Sequence, residues 1–211
     1  MIKQTFNIYE FEKAYKVDDG TFFSDVAIVD NELMNDIAEN WNYEEGQIAV
    51  TGVLFQDVIT IFIAEKEDDE DFKREVVDFL IKISSQTKLY AFNNKMEMGN
   101  FKGNLDYEVK INEIKPFRAK GWNKDKFFHT LIDDKVIKNI AISDVFDGDG
   151  AKCITSWKKY IKTGEEGNLS DIISHNINCL LKECIILKNR NYFFDNYECD
   201  KNNFMLRKNN K

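Results

Sequence analysis

Hydrophobic residues in the first third of the chain occur in short runs that predict β-strands. The runs are 22–30, 47–55 and 58–64, and the third is rich in β-branched residues, which pack well on a pleated sheet. Only Gln56 and Asp57 separate the second run from the third. These two strands are therefore expected to form a hairpin.

Helical periodicity begins after the third strand. Four apolar residues recur at helical spacing along one face: Phe72, Val76, Leu80 and Ile83. Such a stripe predicts an amphipathic helix. The run 88–92 then predicts a fourth strand, and a right-handed crossover should place it parallel to the first strand and beside it.

The pattern is weaker in the middle of the chain and strong again near its end. Residues 93–103 are interpreted as a polar connection, 107–111 as a strand and 124–132 as a helix. Two amphipathic helices are predicted at 151–162 and 169–187.

This order of elements predicts an α/β fold, with three antiparallel strands followed by parallel strands in one mixed sheet flanked by helices. No Pro/Gly/Ser-rich linker divides the 211 residues, and this length suits one domain. We expect a single domain over 1–190. Residues 191–211 are predicted to be a C-terminal tail, rich in asparagine and lysine and partly disordered.

The amino-acid composition predicts the class of protein and its cellular compartment. Apolar residues make up 43% of the chain, which argues against disorder. No run reaches the roughly 18 apolar residues of a membrane span, and residues 1–4 contain no apolar signal core. We therefore expect a cytoplasmic protein with no membrane partner. Its four cysteines form no Cys-x-x-Cys pair and are predicted to be reduced thiols: Cys153, Cys179, Cys184 and Cys199.

Two acidic segments have structural interpretations. Residues 65–71 (EKEDDED) precede a predicted helix, where acidic side chains stabilise the N-terminus; a metal cluster and an interaction patch are the alternatives. Residues 144–150 (DVFDGDG) fail as a calcium loop, because aligning Gly150 with the invariant glycine puts Val145 and Ser156 at ligand positions. They are predicted to be a turn with helix-capping carboxylates.

Three stretches carry a resemblance to a known family. Residues 27–33 (AIVDNEL) resemble a strand ending in Asp-x-Glu, and residues 89–95 (LYAFNNK) are similar to a strand ending in Tyr-Asn-Gly-Lys. Residues 161–179 contain Thr-Gly, a leucine and His-Asn in the order of a third motif. Together they resemble the ribonuclease H-like superfamily, in its DEDD exonucleases and their YprB-type predicted-exonuclease branch, over residues 22–187.

The resemblance implies a ribonuclease H-like sheet and a divalent-metal-dependent 3′–5′ exonuclease, which uses Mg²⁺ or Mn²⁺. It implies that Asp30 and Glu32 are metal ligands, and their alternation on one strand points both side chains to one face. His175 and Glu97 are the implied catalytic residues. His175 would orient or deprotonate water, and Glu97 lies beside the position of the family's second aspartate.

The chain also departs from the family pattern. The second and last aspartates fall at Met98 and Cys179, and an expected glycine falls at Asn94. Glu97 or Glu183 could supply a missing carboxylate, although Glu183 lies one helical turn beyond Cys179. We therefore expect a degenerate exonuclease with weak or no activity and weak binding of Mg²⁺ or Mn²⁺.

The sequence leaves two alternatives for what the protein binds. Nucleic-acid binders usually carry a basic stripe, whereas this chain has a net charge of −8. The charge does not support a nucleic-acid partner, although a site that holds cations against a phosphodiester is itself acidic. The alternative is a non-catalytic protein-interaction module on the same fold.

Each candidate residue has a purely structural interpretation as well. Asp30 and Glu32 can form a turn that ends a strand, and His175 with Asn176 can be a pair on a helix surface. Cys179 can be a small buried apolar side chain. His175 and Cys179 are also spaced as half of a zinc site, for which the sequence offers no second pair of ligands.

Overall fold

The computed structural model describes residues 1–35, 42–138, 140, 142, 144–147, 149–200 and 202–209. Within these residues the strands and α-helices follow one another as β1 (Ile2–Asn7), α1 (Ile8–Tyr15), β2 (Ser24–Leu33), β3 (Ile48–Gln56), β4 (Val58–Ile63), α2 (Glu70–Ser84), β5 (Leu89–Ala91), α3 (Asn94–Leu105), β6 (Ile111–Glu113), α4 (Lys124–Asp133), α5 (Ala151–Thr163), α6 (Glu166–Lys188), α7 (Arg190–Asn196), β7 (Tyr197–Cys199) and β8 (Leu206–Lys208). A short 3₁₀-helix spans Tyr43–Glu45.

One mixed sheet of six strands, in the order β1-β4-β3-β2-β5-β6, organises the fold. Strands β2, β3 and β4 are antiparallel neighbours, whereas β5 is parallel to β2 and β6 is parallel to β5. Helices flank this sheet. The structure therefore confirms the predicted α/β class, the hairpin and the parallel strand beside the first one.

The central strands have continuous apolar sequences because both faces of the sheet are covered. Ile28, Val29 and Leu54 are buried, as are most of their neighbours along β2 and β3. Three successive polar residues of β2 are buried among them: Asp30, Asn31 and Glu32. The alternative that Asp30 and Glu32 form a strand-ending turn is wrong, because β2 continues to Leu33.

Helix α6 packs against β2 and β3, and one glycine sets how closely it approaches them. Gly52 in β3 is paired with Asp30 in β2. A Cβ atom on Gly52 would lie 1.9 Å from Oδ1 of Asn176 in α6. The missing side chain lets polar residues of α6 reach the polar part of β2.

Helix α3 lies where the sequence predicts a polar connection, so that prediction is wrong. Its buried residues are Glu97, Asn100, Phe101 and Leu105. Their spacing is helical, but two of the four are polar, and hydrophobic periodicity therefore misses the helix. Gly103 lets α3 approach the 3₁₀-helix closely, because a Cβ atom at this position would lie 1.8 Å from the backbone oxygen of Glu44.

The N-terminal strand and helix carry no sequence-based prediction. Strand β1 alternates intermediate and exposed residues and pairs with β4 at the edge of the sheet, so its apolar signal is weak. Strand β6 also starts at the residue where the predicted strand 107–111 ends. The predictions of the later helices are confirmed. Helices α4, α5 and α6 match the predicted helices at 124–132, 151–162 and 169–187 within three residues at each end.

The C-terminal residues form α7 and a two-stranded sheet of β7 and β8 rather than a tail. Phe193 and Tyr197 are buried against the main core. Asp134 at the end of α4 accepts hydrogen bonds from the hydroxyls of Tyr192 (2.7 Å) and Tyr197 (2.6 Å) and pairs with Lys208. These anchors explain why an asparagine- and lysine-rich segment is ordered over its described residues.

The acidic run 65–71 serves the start of α2. The Asp69 side chain accepts from the backbone N–H of Phe72 at 3.2 Å, and Glu70 and Asp71 occupy the first helical turn, so the interpretation of this run as the acidic start of a helix is confirmed. Among the residues that the structure describes, none of the helices is both long enough and apolar enough to span a membrane.

Candidate functional site

Four buried carboxyl side chains from three elements gather beside β2. They are Asp30 and Glu32 of β2, Glu97 of α3 and Glu183 of α6, and all four residues are buried. We call them the acidic cluster. Their gathering is a property of the fold, because α3 begins directly after β5 and α6 crosses β2.

A lysine ammonium lies inside the acidic cluster. Nζ of Lys124, the first residue of α4, is 2.9 Å from Oδ1 of Asp30 and 2.6 Å from Oε1 of Glu183. The Lys124 side chain is 17% exposed. Although burial lowers its pKa, the charges of Asp30, Cys179 and Glu183 raise it well above the usual value. The ammonium is therefore a permanent counter-ion at the point where two carboxylates meet.

Burial changes the protonation of the cluster. Burial and the neighbouring charge of Asp30 raise the pKa of Glu32 and of Glu97 well above the usual range, although Lys124 acts in the opposite direction. Burial also raises the pKa of Glu183 to about 8, against the opposing effect of Lys124. Burial thus favours the protonated form of these glutamates, and Lys124 supplies a positive charge beside them.

Amide side chains hold two of the carboxyls in place. Nδ2 of Asn31 donates to Oε2 of Glu97 at 2.5 Å, and Oδ1 of Asn31 accepts from the Thr51 hydroxyl at 2.7 Å. Nδ2 of Asn176 donates to Oδ2 of Asp30 at 3.0 Å. Asn176 Oδ1 is buried beside Gly52 and has no hydrogen-bond partner among the described residues.

A second group of side chains adjoins Glu32. Nδ1 of His175 lies 2.8 and 2.9 Å from the two oxygens of Asp144, and Nε2 lies 3.4 Å from Oε1 of Glu32. Burial acts to raise the pKa of Asp144, but the hydrogen bond from His175 outweighs it and the pKa is lowered. Asp144 is therefore an ionised acceptor, which places the ring proton on Nδ1 and leaves Nε2 facing Glu32.

Cys179 completes this group. Its Sγ lies 3.8 Å from Nε2 of His175. Ligand atoms of Glu32, His175 and Cys179 all lie within 4.8 Å of one another, so this buried group could hold a metal ion. Burial raises the pKa of the Cys179 thiol well above its usual value.

The residues singled out from the sequence do converge. Glu32 and His175 are in contact, Asp30 and Glu32 project from the same strand, and the charge of Asp30 acts on Glu97. His175 and Asn176 are buried, so their interpretation as a helix-surface pair is wrong. The interpretation of Cys179 as a buried small side chain is confirmed, although it also contacts His175.

Both glutamates that the sequence offers in place of the missing carboxylates, Glu97 and Glu183, lie in the acidic cluster. Glu183 does reach the acidic cluster, despite lying one turn beyond Cys179, because α6 runs past Asp30 closely enough for Lys124 to bridge the two. Met98 packs against the hydrophobic core, and its neighbour Glu97 is the residue of α3 that enters the cluster.

Sequence reasoning missed Lys124 and the contact of Asp144 with His175. The sequence does contain a signal for Lys124. A lysine in the first turn of a helix is unfavourable next to the helix dipole, and a carboxylate partner can offset this effect. Asp144 was interpreted as a turn residue, and it does accept from the N–H of Phe146 at 2.9 Å. Nothing in its spacing indicates that it also orients a histidine 31 residues away.

Comparisons with known proteins do not add to this geometry. No family model, no curated protein and no solved structure matches the chain. The case for a function therefore depends on the residues themselves.

Proposed function

We propose that this chain is a ribonuclease H-like, DEDD exonuclease-type protein whose active site is degenerate, with weak or no divalent-metal-dependent nuclease activity. The proposal combines the three-motif resemblance with the arrangement of β2 to β6. The Asp-x-Glu pair lies on the strand between the antiparallel β3 and the parallel β5. Four carboxylates gather there, as a two-cation phosphodiesterase requires.

The observation that carries the degenerate assignment is the position of Lys124. Its ammonium lies between Asp30 and Glu183, where a cation of a two-metal site would have to bind. The carboxyl donors suit Mg²⁺ or Mn²⁺ in kind, but with Lys124 in place they do not fit two such ions. At most one ion is held, weakly, through Asp30 and Glu32.

Burial supports the same conclusion. The carboxyl side chains are 9% exposed or less, and that of His175 is 3% exposed. A phosphodiester cannot approach them without movement of the surrounding chain. The raised pKa values of Glu32, Glu97 and Glu183 also mean that a metal must displace protons to bind at neutral pH.

The test is degradation of labelled single- and double-stranded DNA and RNA with Mg²⁺ or Mn²⁺. We expect the natural protein to degrade no more substrate than Asp30→Ala, because the site lacks room for two cations. Robust degradation that Asp30→Ala abolishes would show instead that Glu97 and Glu183 complete an active site.

The alternative is a non-catalytic protein-interaction module on the same fold. The burial of the whole cluster favours it, since a site closed to substrate has no catalytic use. Slow cleavage that depends on Asp30 and on metal would exclude the module, whereas the absence of cleavage is expected of both.

A further inference from the structure

We infer that Glu32, His175 and Cys179 form a binding site for one transition-metal ion of the zinc class. Their ligand atoms are a carboxylate oxygen, an imidazole nitrogen and a sulfur, all buried and all within 4.8 Å of one another. This inference goes beyond the proposed nuclease-like function and does not depend on it, although the two share Glu32.

The spacing of the three atoms matches a tetrahedral ion. Zinc bond lengths of about 2.0–2.1 Å to nitrogen or oxygen and about 2.3 Å to sulfur give tetrahedral edges of roughly 3.3 Å between N and O and roughly 3.6 Å between N and S. Nε2 of His175 lies 3.4 Å from Oε1 of Glu32 and 3.8 Å from Sγ of Cys179. These two edges fit an ion, and the third, between the Glu32 carboxylate and Sγ of Cys179, lies within 4.8 Å.

The imidazole is oriented as a ligand. Its Nδ1 faces both oxygens of Asp144 at 2.8 and 2.9 Å, and a carboxylate on the far nitrogen is the usual support for a metal-binding histidine. Nζ of Lys182 lies 4.0 Å from Oδ2 of Asp144. This arrangement leaves the Nε2 lone pair directed at Glu32 and Cys179.

The donor set decides the class of metal. A thiolate and an imidazole favour zinc and its neighbours over magnesium, which prefers oxygen ligands only. Two anionic ligands and one neutral ligand also neutralise a dication, as a buried site requires. When the ion binds, the thiol proton of Cys179 and the proton that burial favours on Glu32 both pass to the buffer.

Cobalt(II) is the probe, because it occupies zinc sites and reports a thiolate ligand by a charge-transfer band. Titration of the full chain, freed of metal and kept reduced, should give one equivalent of tetrahedral Co²⁺ with that band, and Zn²⁺ should remove it. Millimolar Mg²⁺ should leave it unchanged. Absence of the band in the natural protein would overturn the site.

Variants locate the ion. Cys179→Ala should abolish the band, whereas Cys184→Ala should retain it, because this second buried thiol of α6 bonds the Phe22 carbonyl instead (3.3 Å). Cys179→Ser keeps the shape if the alanine variant does not fold, and it should also lack the band. Asp144→Asn should weaken Zn²⁺ binding about 10- to 100-fold. A band that survives in Cys179→Ser would refute the assignment.

The outcome is separable from that of the nuclease assay. Degradation that depends on Asp30 would overturn the degenerate active site and leave the cobalt band in place. Loss of the band would leave the assignment of Asp30 and Lys124 untouched.

Discussion

The substitution Lys124→Met tests whether a lysine stands in for a metal ion. It removes the ammonium between Asp30 and Glu183 and keeps an unbranched apolar stem of similar length. Two buried carboxyls then lose their shared counter-ion. Breaking a buried ion pair by removing one partner costs about 3–5 kcal/mol in the free energy of unfolding.

The protonation state of Glu183 determines how much unfolding free energy Lys124→Met loses within this range. Its pKa is raised to about 8 with Lys124 present, and loss of the lysine raises it further, so at pH 7 Glu183 remains protonated and uncharged. The cost should therefore be near 3 kcal/mol at pH 7, with more lost at higher pH. For a chain of this length, about 3 kcal/mol lowers Tm by roughly 6–12 °C.

Magnesium should restore part of this stability. With Nζ gone, the oxygens of Asp30 and Glu183 are available to a hard divalent cation. An ion present at about 100 times its Kd stabilises the folded state by about 2.7 kcal/mol. We therefore expect the Tm of Lys124→Met to rise with magnesium, and that of the natural protein to change little.

Thermal unfolding with EDTA and with millimolar magnesium measures both effects. Lys208→Met is the control, because Lys208 also pairs with a carboxylate, that of Asp134, but lies outside the acidic cluster and away from His175. It should lose stability without gaining a magnesium response. Equal magnesium responses in the two variants would refute the hypothesis that the Lys124 ammonium takes the place of a metal ion.

Three further predictions concern the surroundings of the site. Gly52→Ala should cost about 1–3 kcal/mol in urea unfolding, because its methyl group meets Asn176, whereas Gly167→Ala, which meets open space in a helix, should be neutral or stabilising. Glu183 binds its proton more tightly when folded, so the stability it provides is complete below about pH 4.5 and is lost as pH rises through about 8; unfolding measured from pH 5 to 9 should show this fall, and Glu183→Gln should flatten it. Hydrogen bonds from Lys208 and two tyrosines overcome the effect of burial and lower the pKa of Asp134 to about 2, so its contribution is present above pH 4 and is lost as pH falls through 2. Asp134→Ala should cost about 1–3 kcal/mol and reduce hydrogen-exchange protection over residues 190–208, and unchanged protection would contradict this role.

The parts of the fold that the sequence predicts are those in which burial coincides with apolar residues. The strands from β2 to β5 and the stripe of α2 are of this kind. Pattern analysis misses helix α3 because the polar residues Glu97 and Asn100 occupy buried positions. It misses edge strand β1 because this strand is only half buried. Pattern analysis fails where the interior is polar.

The same limit applies to the site. Asp30, Glu32, Glu97 and His175 can be named from the sequence because the stretches that contain them resemble motifs of a known family. Lys124 cannot, since its role depends on which loop brings α4 against β2. Its distance of 94 residues from Asp30 along the chain leaves no local spacing to recognise, and only the disfavoured charge at a helix N-terminus hints at it.

Stability alone gives no reason for the acidic cluster. Buried ion pairs are often no better than apolar residues of similar volume, because desolvation offsets their attraction, and burial raises the pKa of three glutamates here. The cluster contains two different binding environments. Between Asp30 and Glu183 an ammonium is already bound. Around Glu32 there are nitrogen and sulfur donors with an oriented histidine. Within the acidic cluster, a cation that leaves Lys124 in place therefore finds its ligands at Glu32, and the magnesium response of Lys124→Met and the cobalt band of the natural protein test these two positions separately.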